Sequence, residues 1–226
     1  MRGVGSSGAA RRGFTLVELL IAIALMALMA TLSWRGIDGM TRAQSRMQEQ
    51  AQEVLALQAG LAQWGADLDA LAAQPNTASL DWDGRALRLL RHGSSTPGEG
   101  LRVVAWSRRA TQSRGQWLRW QSPELRSREA VQLAWQKAAL WAQNPSAEER
   151  LREVSIVGLD QWQIYFYRAN AWTNPLSSAG AGGDTKVPAD SSIPDGIRLV
   201  LTLTPGQAIS GVVTRDWLRP TVGGGK

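Results

Sequence analysis

The fold is decided by the stretch Phe14-Thr15-Leu16-Val17-Glu18-Leu19-Leu20-Ile21, which continues apolar to Trp34 and reads FTLVELLIAIALMALMATLSW over residues 14–34. Its only charged side chain is Glu18. As a helix it measures about 32 Å at 1.5 Å per residue, enough to cross the hydrocarbon core of a bilayer. Residues 1–13 before it are short and polar and end in Arg11-Arg12-Gly13. Such a segment is either a secretory signal peptide or a membrane anchor kept after a shorter leader is cut. A signal-peptidase site needs two small residues, and the best candidates, Ala27 and Ala30, have Leu25 and Leu28 where the second should stand. The flanking charges do not orient the span, because Arg2, Arg11 and Arg12 on one side are matched by Arg35, Arg42 and Arg46 on the other. An ionised carboxylate in hydrocarbon is costly unless paired, so Glu18 must find a cation or stay protonated. The competing account, an incidental acid favoured by the helix dipole at an N-terminus, is the weaker one.

Composition narrows the rest. The chain has 226 residues, and what remains beyond Trp34 suffices for one modest domain. It has no cysteine, which excludes disulfides and thiolate metal sites. His92 is the single histidine, so imidazole metal clusters and most nucleophile/base dyads are excluded as well. The formal charge is +6, but Arg2, Arg11 and Arg12 fall in the leader, and the other arginines are scattered among acids. No nucleic-acid partner is expected from that pattern.

Beyond the span, the apolar positions Ile37, Met40, Met47, Ala51, Val54, Leu57, Leu61, Trp64, Leu68 and Leu71 recur mostly at steps of three or four. That spacing predicts an amphipathic helix continuous with the anchor, with Gly36 and Gly39 as a soft point and the stripe packed on the domain. A coiled coil with another chain is the alternative. After Gln74-Pro75-Asn76, strands are expected at Ala86–Arg91, Leu101–Ser107, Gln116–Gln121, Leu151–Val157 and Trp162–Tyr167, with loops at Gly93–Gly100 and Thr111–Gly115 and a helix at Glu124–Gln143. Ile197, Leu199, Leu201 and Leu203 alternate with Arg198, Val200, Thr202 and Thr204 as a half-buried strand. Pro205-Gly206 then turns the chain into a hairpin with Ile209–Trp217. The fold class expected is α+β: a long N-terminal helix packed on antiparallel sheet.

The string Arg12-Gly13-Phe14-Thr15-Leu16-Val17-Glu18 resembles the processing signal of type IV pilins and pseudopilins. The resemblance implies a pilin-like fold, prepilin-peptidase cleavage after Gly13, N-methylation of Phe14, Arg11 and Arg12 as the basic end of the leader, and Glu18 as a buried assembly acid. The ammonium freed at Phe14 would then be the nearest cation for Glu18, in the same chain or a neighbour. Further strings resemble the J-type minor pseudopilins of type II secretion: Trp34-Arg35-Gly36-Ile37-Asp38, Ile193-Pro194-Asp195-Gly196-Ile197-Arg198-Leu199 and Thr214-Arg215-Asp216-Trp217. That likeness implies a non-enzymatic subunit at the tip of the pseudopilus, joined to I-type and K-type partners and anchored in the bacterial inner membrane with its C-terminal domain in the periplasm. The division it implies is leader 1–13, transmembrane helix 14–34, periplasmic half of the long helix 35–72 and β-rich domain 73–226. No cofactor or metal is expected, since no acidic loop matches the calcium site of the major pseudopilin.

A minor pilin of a type IV or DNA-uptake pilus is the rival in the same class. A soluble periplasmic carbohydrate-binding or enzymatic domain behind a signal peptide is the rival from another. Eleven tryptophans, Trp117, Trp120, Trp135, Trp141 and Trp162 among them, fit core and interface packing better than a stacking platform. The acid pairs Asp67/Asp69 and Asp81/Asp83 lack a companion nucleophile or ligand cluster and read as solvated turns and helix ends. Gly180–Gly183 and Gly223–Lys226 have no helix after them and are not phosphate loops. Residues 174–194 read as a long mobile excursion.

Overall fold

The computed structural model describes residues 14–74, 77–93, 100–111, 114–178 and 193–220. Contacts divide the chain into two units, Met1–Glu49 and Gln50–Lys226. Helix α1, Leu16–Asp69, runs unbroken through Gly36 and Gly39, as the missing prolines and the apolar spacing predict. In the first unit its apolar side chains are exposed. In the second, Leu57, Gly60, Trp64, Asp67 and Leu68 are buried. The expected packing stripe therefore starts late. Ile37, Met40 and Met47 are exposed, and burial begins around Val54, where the irregular steps give way to strict three-four alternation.

The second unit is an antiparallel sheet of eight strands: β1 Leu80–Trp82, β2 Ala86–His92, β3 Leu101–Thr111, β4 Arg114–Gln121, β5 Glu153–Arg168, β6 Ala171–Thr173, β7 Gly196–Leu203 and β8 Gly211–Leu218. Their order is β1-β2-β3-β4-β5-β7-β8, with β6 paired to β5. The sequence expected two strands where β5 is one. Its first part pairs with β4 and its second with β7, and the register shifts at both junctions. Such bulges increase the local twist and curl the sheet. At the second junction Gln207 repairs the lost ladder: its side-chain oxygen accepts from Gly158 N–H at 3.0 Å and its amide donates back to Gly158 O at 3.0 Å.

The period of two sorts side chains onto two cores. Leu87, Leu89, Val104, Trp106 and Trp117 meet Leu57, Trp64 and Leu68 of α1. Ala86, Leu90, Val103, Ala105, Leu118 and Trp120 meet Val131, Ala134, Ala138 and Trp141 of α2, Arg128–Gln143. β2–β4 are thus covered on both faces. Helix α2 begins at Arg128, later than the expected Glu124, because Ser127 accepts from Ala130 N–H as its N-cap. The expected loop 111–115 is mostly strand, since β3 reaches Thr111 and β4 starts at Arg114.

Two strands and two short helices escaped the sequence reading. The strands are β1 and β6, and the first helix is the four-residue α3, Ala147–Arg150, held by the capping box Ser146/Glu149. The second short helix, α4, Pro175–Ser178, opens the 174–194 stretch. The rest of that stretch up to residue 192, the loop 94–99 and Gly223–Lys226 lie outside the described residues.

Candidate anchoring and assembly site

Among the described residues the first is Phe14, 89% exposed; Arg11, Arg12 and Gly13 lie outside them. Thr15 and Glu18 build the start of α1 together. One carboxylate oxygen of Glu18 accepts from the Thr15 backbone N–H and from its hydroxyl, both at 3.0 Å. The Glu18 N–H donates back to the Thr15 hydroxyl at 3.3 Å. This reciprocal box satisfies donors that a helix N-terminus otherwise leaves orphaned. It engages only Oε2, so Oε1 has no hydrogen-bond partner among the described residues. In the uncleaved chain the Phe14 nitrogen is a peptide nitrogen, so the ammonium expected to meet Glu18 does not yet exist there.

From Leu16 to Leu32 the large apolar side chains of α1 are all more than half exposed. The helix is long and apolar enough to cross a membrane by length and composition. A surface of that kind is stable in lipid or against other apolar helices, and costly in water.

The head holds a polar cluster that sequence reasoning misplaced. Asp67, assigned to a solvated helix end, is fully buried. Its Oδ1 accepts from Gln63 at 2.8 Å, Arg91 at 2.5 Å and Arg119 at 2.8 Å. Its Oδ2 accepts from Arg119 Nε at 2.8 Å and from the Trp106 indole at 2.9 Å. One carboxylate thereby ties α1 to β2, β3 and β4. The legible signal was an acid three residues after Trp64 on the apolar stripe, with Arg91 and Arg119 at inward positions of their strands. On the opposite face Glu153 plays the matching part. It accepts from Arg109 with both oxygens, at 2.6 and 2.7 Å, and from the Trp141 indole at 2.6 Å.

The other acids are also spent on structure. Asp69 accepts from the Trp217 indole at 2.8 Å, Asp81 pairs with Arg88, and Asp83 caps the turn at Arg85 and Ala86. Among the described residues no group of three or more His, Cys, Asp or Glu converges as a metal site would require. The tryptophans behave as core residues. Trp117, Trp120 and Trp141 are buried, and Trp64, Trp106 and Trp117 form one ring cluster with centroids 4.6–6.3 Å apart. Trp135 and Trp162 are half-buried, under Arg88 and against Trp82.

Residues 8–34 match the family described as the prokaryotic N-terminal methylation motif. No curated protein matches the chain. The matched segment contains the whole Arg12–Glu18 string and ends at Trp34, and it supports a type IV pilin-like or pseudopilin protein. Proteins with this motif are structural rather than enzymatic, are processed by a prepilin peptidase and assemble with pilin-type partners. With one apolar N-terminal helix among the described residues, the motif points to a membrane-anchored protein.

Proposed function

We propose that this chain is a J-type minor pseudopilin of a type II secretion system. Prepilin peptidase removes residues 1–13 by cutting between Gly13 and Phe14, with Arg11 and Arg12 at the cytoplasmic end of the leader, and Phe14 is then N-methylated. Residues 14–34 cross the inner membrane, 35–72 form the periplasmic half of the long helix, and 73–226 form the periplasmic domain. The observation that carries this reading is the methylation-motif match together with one acid, Glu18, in the first turn of an otherwise exposed apolar helix. The new Phe14 ammonium neutralises Glu18 in its own chain or a neighbour, which sets axial register and makes cleavage the step that licenses assembly.

The J-type assignment, with I-type and K-type partners at the fibre tip, rests on resemblance. The three strings that carry it occupy defined places: Trp34–Asp38 in α1, Ile193–Leu199 leading into β7, and Thr214–Trp217 in β8. Mass spectrometry of the mature chain tests the processing, with a methylated Phe14 as the expected terminus; a start beyond residue 27 overturns it. A deletion strain tests the system, and loss of reporter-enzyme secretion is the expected result. Normal secretion with lost transformation or twitching assigns the chain to a type IV or DNA-uptake pilus instead.

A further inference from the structure

The sheet has two ends, and they are unequal. At one end β1 has three residues; at the other β8 has eight and, among the described residues, pairs only with β7. Arg219 N–H donates to Asp195 O at 2.9 Å, and the β7/β8 register continues without a shift from Gly196↔Leu218 to Leu203↔Gly211. Hydrogen-bonded pairs in an antiparallel ladder fall on every second residue. The odd positions Gly211, Val213, Arg215 and Trp217 are therefore bonded to β7, and Val212, Thr214, Asp216 and Leu218 direct N–H and C=O outward.

This edge contains neither lysine nor proline, its charges are Arg215 and the Arg198-paired Asp216, and Val212 and Leu218 are 67% and 62% exposed. A row of alternating donors and acceptors at strand spacing is complementary to another extended backbone. The side chains state what that backbone should carry. On the face toward the α1 core, Trp217 is buried, Val213 is half-buried, and Arg215 between them is exposed with no carboxylate partner among the described residues. Opposite an odd position an added strand forms the closer, non-hydrogen-bonded pair, where opposite charges attract and like charges repel.

We propose that β8 is a strand-addition site for an extended segment of another protein, one with an acidic residue opposite Arg215 and apolar residues two positions to either side, facing Val213 and Trp217. A second copy of this chain fits poorly. The core-facing positions of β8 hold no acid, so self-pairing places Arg215 against Arg215, Val213 or Trp217. The inference rests on β8 and its register alone and does not depend on which filament system the chain serves.

The test uses the purified full chain in detergent micelles and a labelled, capped peptide Thr-Val-Thr-Glu-Thr-Val-Thr, beside the same peptide with lysine in place of glutamate. Fluorescence anisotropy should show tighter binding of the glutamate peptide, by about fivefold. Arg215→Glu should invert that preference. Hydrogen exchange should show the amides of Val212, Thr214, Asp216 and Leu218 exchanging fast in the free chain and slowing with peptide. Thr214→Pro, which removes an outward N–H without touching the β7 ladder, should abolish binding; if it disrupts the fold, the Arg215→Glu inversion still decides. No binding of the glutamate peptide, equal affinity for both peptides, or an unchanged preference in Arg215→Glu overturns the proposal. A peptide-free dimer with those four amides already protected assigns the edge to a second copy and overturns it too.

Discussion

The two stretches of α1 use hydrophobicity in opposite ways. Between Leu16 and Leu32 the apolar side chains surround the helix and stay exposed. Between Leu57 and Leu68 they lie on one stripe, where Trp64 is fully buried and Leu68 is 1% exposed. An all-round apolar helix whose side chains find no cover among the described residues suits lipid or other apolar helices. A striped helix completes the core of the domain that follows it. The difference teaches that one continuous helix carries two separable tasks: its outer stretch contributes folding stability, and its first stretch, on the proposed reading, anchoring and assembly. Substitutions along α1 should therefore divide cleanly by readout.

The largest expected effect is Asp67→Ala. The change leaves Arg91 and Arg119, both mostly buried, and the Trp106 indole without their shared acceptor. Breaking a buried ion cluster from one side costs about 3–5 kcal/mol, to be read by urea unfolding of the full chain in micelles with tryptophan fluorescence. A loss below about 1 kcal/mol would mean that Asp67 acts like a surface acid, and the assignment of stability to this half of α1 would fail.

Gly60→Ala comes next. A methyl group there would sit 2.5 Å from Ile156 Cγ2 and 3.1 Å from Trp117 Cζ3, neither of which ends a flexible chain. Overpacking costs about 1–3 kcal/mol, and the better helix propensity of alanine returns about 1 kcal/mol, so the net loss should be at most about 2 kcal/mol. Gly65 on the same helix has nothing within 4 Å, and Gly65→Ala should stabilise instead. The reverse order of these two variants in the same unfolding assay would break the packing account.

Much of this contrast is legible in the sequence, and the boundary is the instructive part. The apolar stripe was expected from Ile37, yet packing starts only where the alternation becomes strict at Val54. Regular spacing, more than apolar content, marked the buried stretch. β7 was readable because its face alternates in register with the core. Two expected strands became β5 because the bulges at its junctions depend on which neighbours it meets, a tertiary fact. β6 follows a two-residue turn at Ala169-Asn170, both with positive φ, and alanine gives no local sign of that geometry. Asp67 was misread for a related reason. Its burial is decided by Arg91 and Arg119, which lie 24 and 52 residues away.

A smaller effect calibrates the surface of the head. Asp216 on β8 forms a two-armed pair with Arg198 on β7, both contacts at 2.7 Å. Its carboxyl is held below the ordinary aspartate value by those hydrogen bonds first and by the charge of Arg198 as well, against partial desolvation. A depressed folded pKa contributes stability above the unfolded value of about 3.9, and that contribution is lost as pH falls through the lower folded value. The pair is well exposed, so its worth is at most about 1 kcal/mol. Thermal midpoints of the native chain and Asp216→Asn should differ by no more than about 4 °C at neutral pH and converge below about pH 3.9. A gap that widens with acid would contradict the sign.

The smallest expected effect on the head is the one that matters most for function. Glu18→Leu removes the acceptor of the Thr15 box, which lies within the first unit. Urea unfolding followed through the head tryptophans should match the native chain. Leucine also lowers the cost of membrane insertion, so the variant should insert and be cleaved normally. On the proposed reading it lacks the carboxylate that pairs with the freed Phe14 ammonium, and co-purification with pilin-type partners should fall sharply. Unchanged co-purification would remove the pairing role from Glu18, whereas a destabilised head would show that the two stretches of α1 are not independent.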